Sequence, residues 1–188
     1  APSASTPVPA PLYATLFMKG KTWTLEGTLH RTAPPDLGLL ADETSSFKTR
    51  CEVTEVARFT GGVRSSIECD DLPQAGVANL VEGTWVATAD GLHHGVAPKG
   101  PHFELPEGSL ILPASPKPER IEEKDPENDG FFSTRTITKE HDAWCFERFS
   151  VAGDEGWNSV CLNEKDGFVF GTYGWAGGSS AEVSFIAK

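Results

Sequence analysis

The chain has 188 residues, of which 38% are hydrophobic, and it carries a formal net charge of −11. Its 11 phenylalanines and 5 tryptophans suffice for the core of one large domain or two small ones. The negative charge argues against a nucleic-acid partner, which requires a basic surface, and the sequence contains no apolar run near the roughly 18 residues of a transmembrane helix.

The first eleven residues, APSASTPVPAP, consist of Pro, Ala, Ser and Thr apart from Val8. This composition favours an extended arm over a packed element, and such an arm could tether the protein to a membrane anchor or support self-assembly. An ordinary frayed terminus is the alternative. Because residue 1 is Ala rather than Met, we expect that a secretory signal or lipoprotein leader has been removed, unless the terminus was simply trimmed.

The first half of the predicted β structure covers residues 12–112. Residues 13–18 could form either a short helix or a first strand. Apolar and polar residues alternate over 21–30, which is typical of a half-buried strand. Residues 32–46 include two consecutive prolines and are expected to be mainly loop. Further strands are predicted at 47–59, 63–70, 80–89 and 109–112 and around Phe103.

Residues 113–130, PASPKPERIEEKDPENDG, contain four prolines and many charges. They predict an acidic, Pro-rich linker between two halves, because almost nothing in them can be buried. The second half, residues 131–188, begins with the Thr-rich alternation FFSTRTITK. Apart from the N-terminus, only residues 138–142 hint at helix. Strands of this half are predicted at 131–139, 143–151, 157–162, 167–173 and 181–187.

The four cysteines bound two segments of nearly equal length, residues 51–69 and 145–161. In an antiparallel hairpin, the residue numbers of two opposed positions always add up to the same sum, so the turn lies midway between them. The midpoints of both cysteine pairs fall where a turn is expected, beside Gly61 and at Gly153. The alternative is four free, buried thiols in a cytosolic protein. We therefore predict an oxidising compartment and two disulfide-stapled hairpins, with Cys51 paired to Cys69 and Cys145 paired to Cys161.

The two hairpins also have similar surroundings. A Thr-rich strand precedes each hairpin, and a Gly-Thr-aromatic sequence follows each, at residues 83–85 and 171–173. An internal duplication would explain this similarity, although generic hairpins also resemble one another. The predicted fold class is all-β, an antiparallel sandwich or barrel of about ten short strands with two halves that look duplicated.

Three of the five histidines, His93, His94 and His102, fall within ten residues, and Asp90 and Glu104 lie nearby. Imidazole and carboxylate groups are suitable ligands for zinc or another divalent transition metal. However, adjacent residues of a strand point to opposite faces, and no metal-binding spacing such as HExxH is present. Solvated histidines are therefore the simpler interpretation, and no cofactor is expected.

Four aromatic residues in or near the hairpins are candidates for stacking on a ligand. Exposed rings could form a platform for a carbohydrate or an apolar ligand, whereas core packing with glycine bends is the simpler interpretation. Among them, Trp175 is the best candidate for exposure, because glycines flank it and leave it little local cover. The candidates are Trp85, Trp157, Tyr173 and Trp175.

Signals for catalysis are weak. The sequence has no GxSxG nucleophile elbow, and the predicted disulfides would remove the cysteines as nucleophiles. Acidic residues and histidines are plentiful, but neighbours in sequence, such as His141 and Asp142, need not share a cleft. We therefore assign no catalytic residue, and enzyme activity is the less favoured interpretation.

These features favour a secreted, periplasmic or outer-surface protein, with a lipid anchor if the removed leader carried one. Its expected role is that of a non-catalytic module for binding or assembly, with a protein or glycan at the cell surface as partner. One alternative is a structural subunit of an extracellular assembly. Another is a secreted hydrolase that depends on a metal or on carboxylates, which would require the histidines to converge with carboxylates in a cleft.

Overall fold

Strands dominate the computed structural model of the protein. The predicted strands around Phe103 and most of the N-terminal arm fall outside the residues that the structure describes. The described residues are 9–32, 42–70, 80–95, 109–124, 130–177 and 180–188.

In this part of the chain, twelve strands form one antiparallel sheet, preceded by a 3-10 helix, η1, at Pro11–Phe17. The strands are β1 Thr22–Thr32, β2 Asp42–Phe59, β3 Gly62–Cys69, β4 Gly83–Thr88, β5 Gly91–His94, β6 Leu110–Pro113, β7 Glu119–Lys124, β8 Phe132–Glu140, β9 Ala143–Ala152, β10 Asp154–Asn163, β11 Gly167–Ala176 and β12 Ser180–Ala187.

The order of the strands requires the sheet to curl. The order is β6-β5-β4-β3-β2-β1-β12-β11-β10-β9-β8-β7, so β6 and β7 are the two edges although they are consecutive in sequence. At a strand spacing of about 4.8 Å, a flat sheet of this size would separate its edges by about 50 Å. The chain from Pro113 to Glu119 can span only about 22 Å. The sheet therefore folds over on itself, so that two parts of it form facing walls around a common interior.

Strand β2 forms the corner between the two halves. Its 18 residues pair with β1 from Asp42 to Glu52 and with β3 from Cys51 to Phe59. The register of the second pairing shifts between Val53 and Glu55. Such a bulge bends a strand and increases its twist, and β2 thereby carries the chain from one wall of the interior to the other.

Alternating side chains fill the interior. On β1, Trp23, Leu25 and Leu29 are buried, while the threonines and Glu26 between them face outward. Helix η1 covers one end of this interior with Tyr13 and Leu16, which are 1% and 0% exposed. At the same end the Nε1 atom of Trp23 donates a hydrogen bond to the main-chain carbonyl of Asp166 at 2.6 Å. That end of the sheet is consequently closed.

The all-β prediction is confirmed, but several local predictions differ from the structure. The region 113–130, whose role as a linker stays a prediction, contains strand β7, and the predicted loop 32–46 includes the start of β2 at Asp42. Residues 138–142, where a helix was suggested, end β8 and form a tight turn in which His141 has a φ of 56°. The strand predicted from residue 80 begins at Gly83. The division into halves and the role of the arm stay predictions.

Both predicted disulfides are present. Cys51 and Cys69 are directly opposed in the β2–β3 register, and Cys145 and Cys161 are directly opposed in the β9–β10 register. The first pair shares the interior face of the sheet with Val53 and Ile67, whereas the second lies on the outer face. The layout looks duplicated along the sequence, but the two staples lie on opposite faces of the sheet.

Replacing either cysteine pair by alanine should lower the free energy of unfolding by about 3 kcal/mol, because each disulfide closes a loop of 18 or 16 residues in the unfolded chain. Loss of the interior pair, Cys51 and Cys69, should lower the free energy of unfolding by about 1 kcal/mol more than loss of the outer pair, because it also leaves a cavity in the core. Urea unfolding of the two double variants measures both effects. Unchanged midpoints would contradict a stapling role for either disulfide.

A glycine on β11 makes room for the ring of Phe185 in the interior. Gly171 is the cross-strand partner of Phe185 on β12. A Cβ atom at Gly171 would overlap the Phe185 ring, which is 1% exposed and cannot move away easily. Gly171 therefore permits the ring of Phe185 to lie in the middle of the sheet.

Gly171→Ala should destabilise the protein by roughly 1–3 kcal/mol, since the added methyl group overpacks the core. Gly156→Ala is the matched control, because a Cβ there would meet its nearest neighbour, the Oγ atom of Ser150, at 3.4 Å. Thermal and urea unfolding should show that Gly171→Ala is clearly less stable than Gly156→Ala. Equal stability of the two variants would show that the Phe185 ring is not held against β11.

Candidate ligand-binding site

On the interior face of strands β8–β12, a row of apolar residues is followed by a row of mainly polar ones. One cross-strand row consists of Phe185, Gly171, Val160, Phe146 and Ile137. The next row, two residues further along each strand, consists of Val183, Tyr173, Asn158, Arg148 and Arg135. Polar and cationic side chains on an interior face are unusual unless they meet a partner there.

On the opposite wall, strands β4 and β5 present a stacked pair of rings. Trp85 and His94 are cross-strand partners whose ring centroids are 3.9 Å apart and nearly parallel. The Nε1 atom of Trp85 donates to the carbonyl of Val81 at 2.8 Å. Nε2 of His94 lies 2.9 Å from the carbonyl of Glu82, so it carries the proton in the neutral ring. Both rings are thus fixed in orientation.

A cavity of about 200 Å³ lies between these two walls. A cavity of about 150 Å³ is enough to hold benzene, so this one can hold a ligand with a single ring and a small substituent. Its lining residues are Leu80, Trp85, His94, Gly95 and Ile111 from the first half and Phe146, Arg148, Asn158, Val160 and Tyr173 from the second.

Burial keeps the His94 ring neutral. Desolvation lowers the pKa of His94 from 6.5 to about 4, although the hydrogen bond to the Glu82 carbonyl opposes part of this shift. At neutral pH the positive charge on the cavity wall therefore comes from arginine.

The two arginines of the polar row are neighbours. Arg135 and Arg148 are direct cross-strand partners on β8 and β9. The guanidinium carbon of Arg148 lies 5.8 Å from the centre of the Phe146 ring, a cation–π distance that orients the guanidinium. The Nε atom of Arg135 is buried and has no hydrogen-bond partner among the described residues.

The structure brings together two of the four aromatic residues that the sequence suggested. Trp85 and Tyr173 line the cavity from opposite walls. Trp175 lies one row beyond Tyr173 on the same face, with its ring edge-on to Tyr173 at 6.2 Å, and it is partly buried against the core. Trp157 is on the outer face, where its ring covers Gly174.

Sequence reasoning missed the arginines and the asparagine of the interior face. Arg148 follows Phe146 by two residues, and Arg135 precedes Ile137 by two, so strand alternation places both arginines on the apolar face. An arginine two residues away from a buried apolar residue of the same strand is the signal that could have identified them. Asn158, two residues before Val160, carries the same signal.

His93 and His94 do not converge. His94 faces the cavity, whereas His93 faces the other side of the sheet, where its ring nitrogens lie 3.0 Å from the Oγ atom of Ser109 and 3.3 Å from a carboxylate oxygen of Asp90. No group of three or more His, Cys, Asp or Glu side chains suited to a metal ion occurs within the described ranges. His102 lies outside them, so its part in a metal site stays a prediction.

Comparison with known proteins adds no family. No protein-family model matches the chain, and no curated protein is significantly similar to it in sequence. Within the described residues, none of the helices is long and apolar enough to cross a membrane. The functional assignment therefore depends on the cavity and its lining.

The pKa of His94 is lower in the folded protein than in the unfolded chain. The contribution of His94 to the free energy of unfolding is therefore complete above pH 6.5 and is lost as the pH falls toward 4. The loss should reach on the order of 2–3 kcal/mol near pH 4. His94→Gln, which keeps a donor for the Glu82 carbonyl but does not titrate, should remove this part of the pH dependence. Urea unfolding of both proteins from pH 7 to pH 4 measures the difference. Parallel stability curves would contradict a buried, neutral His94.

Proposed function

We propose that this protein is a secreted or cell-surface-exposed, non-catalytic β module that binds a small ligand in the cavity between the two walls of its curled sheet. The observation that supports this function is the lining of the cavity. Apolar side chains and the Trp85–His94 stack form most of its surface, and three polar side chains converge on it, Arg148, Asn158 and Tyr173. A concave, largely apolar site with a few placed polar groups is typical of small-molecule binding.

The lining favours binding over catalysis. An enzymatic nucleophile requires an adjacent base. The four cysteines are consumed in disulfides, and the neutral His94 already engages a main-chain carbonyl through Nε2. The arginine, asparagine and tyrosine of the lining are suited to orienting a ligand through hydrogen bonds.

The disulfides support a location outside the reducing cytosol. Structural disulfides persist in oxidising compartments, such as the periplasm and the extracellular space. Both bonds staple neighbouring strands of the folded sheet. An acidic protein with a net charge of −11 is also well suited to remaining soluble in such a compartment.

Indole, a neutral compound with a compact ring system, tests whether the cavity binds small molecules at all. Titration at millimolar concentration should produce saturable shifts in the NMR signals of the Trp85 indole N–H and the Tyr173 amide, because both residues line the cavity. Ile111→Trp should abolish these shifts by filling the cavity from strand β6.

Ile186→Trp is the matched control, because Ile186 is 57% exposed. This variant should bind indole as the wild type does. If indole causes no saturable shift at the cavity in the folded wild type, or if Ile111→Trp binds indole unchanged, the proposed function is wrong.

A further inference from the structure

We infer that the natural ligand of the cavity is an uncharged compound with a single ring and a primary carboxamide, which pairs with the side-chain amide of Asn158. This inference rests on the proposed function and adds the chemical class of the ligand. It depends on three features of the described lining, which are the free polar groups of Asn158 and Tyr173, the engagement of the other polar groups and the apolar surface around them.

The side chains of Asn158 and Tyr173 are free to bind a ligand. The two residues are cross-strand partners on β10 and β11, and both line the cavity. Neither the amide of Asn158 nor the hydroxyl of Tyr173 forms a hydrogen bond in the part of the chain that the structure describes. A ligand that fills the cavity excludes water from these groups, so it has to provide new hydrogen-bond partners for them.

Most other polar groups of the described lining are already engaged. The Nε1 atom of Trp85 and the Nε2 atom of His94 donate to main-chain carbonyl oxygens. Arg148 has interactions of its own, one of them with an aromatic ring of the same strand. The groups left free in this lining are the Asn158 amide, the Tyr173 hydroxyl and the Nδ1 acceptor of His94, and all three are uncharged. They are therefore suited to an uncharged polar group of the ligand.

The amide of Asn158 favours a carboxamide over other uncharged groups. It carries N–H donors beside a carbonyl acceptor, and a primary carboxamide carries the same groups, so the two can form a pair of parallel hydrogen bonds. Asparagine binds the adjacent donor and acceptor of adenine in the same bidentate manner. A ketone would use only the donor of Asn158. A carboxylate has no N–H for the Asn158 carbonyl, which would then face another acceptor.

The hydroxyl of Tyr173 can bind the remaining N–H of the ligand. A primary carboxamide has two N–H groups, and the pairing with Asn158 uses one of them. Tyr173 lies directly opposite Asn158, and neighbouring strands are about 4.8 Å apart. One carboxamide can therefore reach both side chains, with the Tyr173 oxygen as acceptor of the second N–H.

The rest of the lining is suited to a ring. Leu80 and Ile111 from one wall and Phe146 and Val160 from the other provide apolar contacts, and Trp85 adds an aromatic surface. A volume of about 200 Å³ accommodates a benzene ring with one small substituent. The ligand is therefore defined by hydrogen bonding at the polar side of the cavity and by shape at the apolar side.

Benzamide, acetophenone and benzoate test the chemical class, because they share one ring and differ in its substituent. NMR titration that follows the indole N–H signal of Trp85 should show that benzamide binds at least about tenfold more tightly than acetophenone, which leaves the Asn158 carbonyl unpaired. Benzoate, which has the charge but no N–H, should also bind at least about tenfold more weakly than benzamide.

Substitution of the polar residues tests their role. Asn158→Leu, which nearly keeps the size of the side chain, should bring the affinity ratio of benzamide to acetophenone close to one. Tyr173→Phe should lower this ratio only in part, since the pairing with Asn158 remains, and it serves if Asn158→Leu does not fold. Ser159→Ala is the matched control, because Ser159 is the next residue on β10 and faces the other side of the sheet. It should leave the ratio unchanged.

The outcomes separate the two proposals. Equal affinities for benzamide and acetophenone in a wild type that binds indole would overturn the inference but leave a binding function for the cavity. Tighter binding of benzoate than of benzamide would overturn the uncharged class of ligand. A ratio that Asn158→Leu leaves unchanged would overturn the pairing with Asn158. Failure of indole, benzamide and acetophenone alike would overturn the proposed function together with the inference.

Discussion

Phe168 joins the two walls of the sheet. Its ring packs edge-on against Trp23 at a centroid distance of 5.0 Å and against Trp85 at 5.4 Å. Trp85 lies on β4 and Phe168 on β11, and four strands separate β4 from β11 in the sheet, so a flat sheet would place them about 24 Å apart. Burial of these three rings stabilises the curled form, and the bulge in β2 provides the corner that it requires. This contact therefore holds the two walls together around the interior.

The curled sheet has a closed end and a polar interior row. Helix η1 covers the closed end, and the aromatic layer that includes Phe185 follows it. Beyond that layer the interior presents Arg148 and Arg135, which would be destabilising in a fully packed core. The cavity lies where Arg148, Asn158 and Tyr173 meet the Trp85–His94 stack. The position of the cavity is therefore a consequence of how the sheet folds over.

Local features of the fold were predictable from the sequence, whereas features that depend on distant pairing were not. The disulfides were predicted correctly because both cysteines of each pair belong to one hairpin, so an index sum suffices. Strand β7 was missed because an edge strand needs little burial, and Ile121 is the apolar residue among its charged neighbours. The cavity was missed because it forms between β4 and β11, and no sequence pattern indicates that Trp85 and Tyr173 face each other.

The central claim is that the cavity between the two walls of the curled sheet binds a small ligand. A crystal structure of the protein grown with 5-bromoindole tests it most directly, because anomalous scattering from bromine locates the ring independently of the protein. We expect the bromine peak in the cavity, between Trp85 and Phe146. A bromine peak on the outer face of the sheet, or an empty cavity at saturating ligand, would contradict the account.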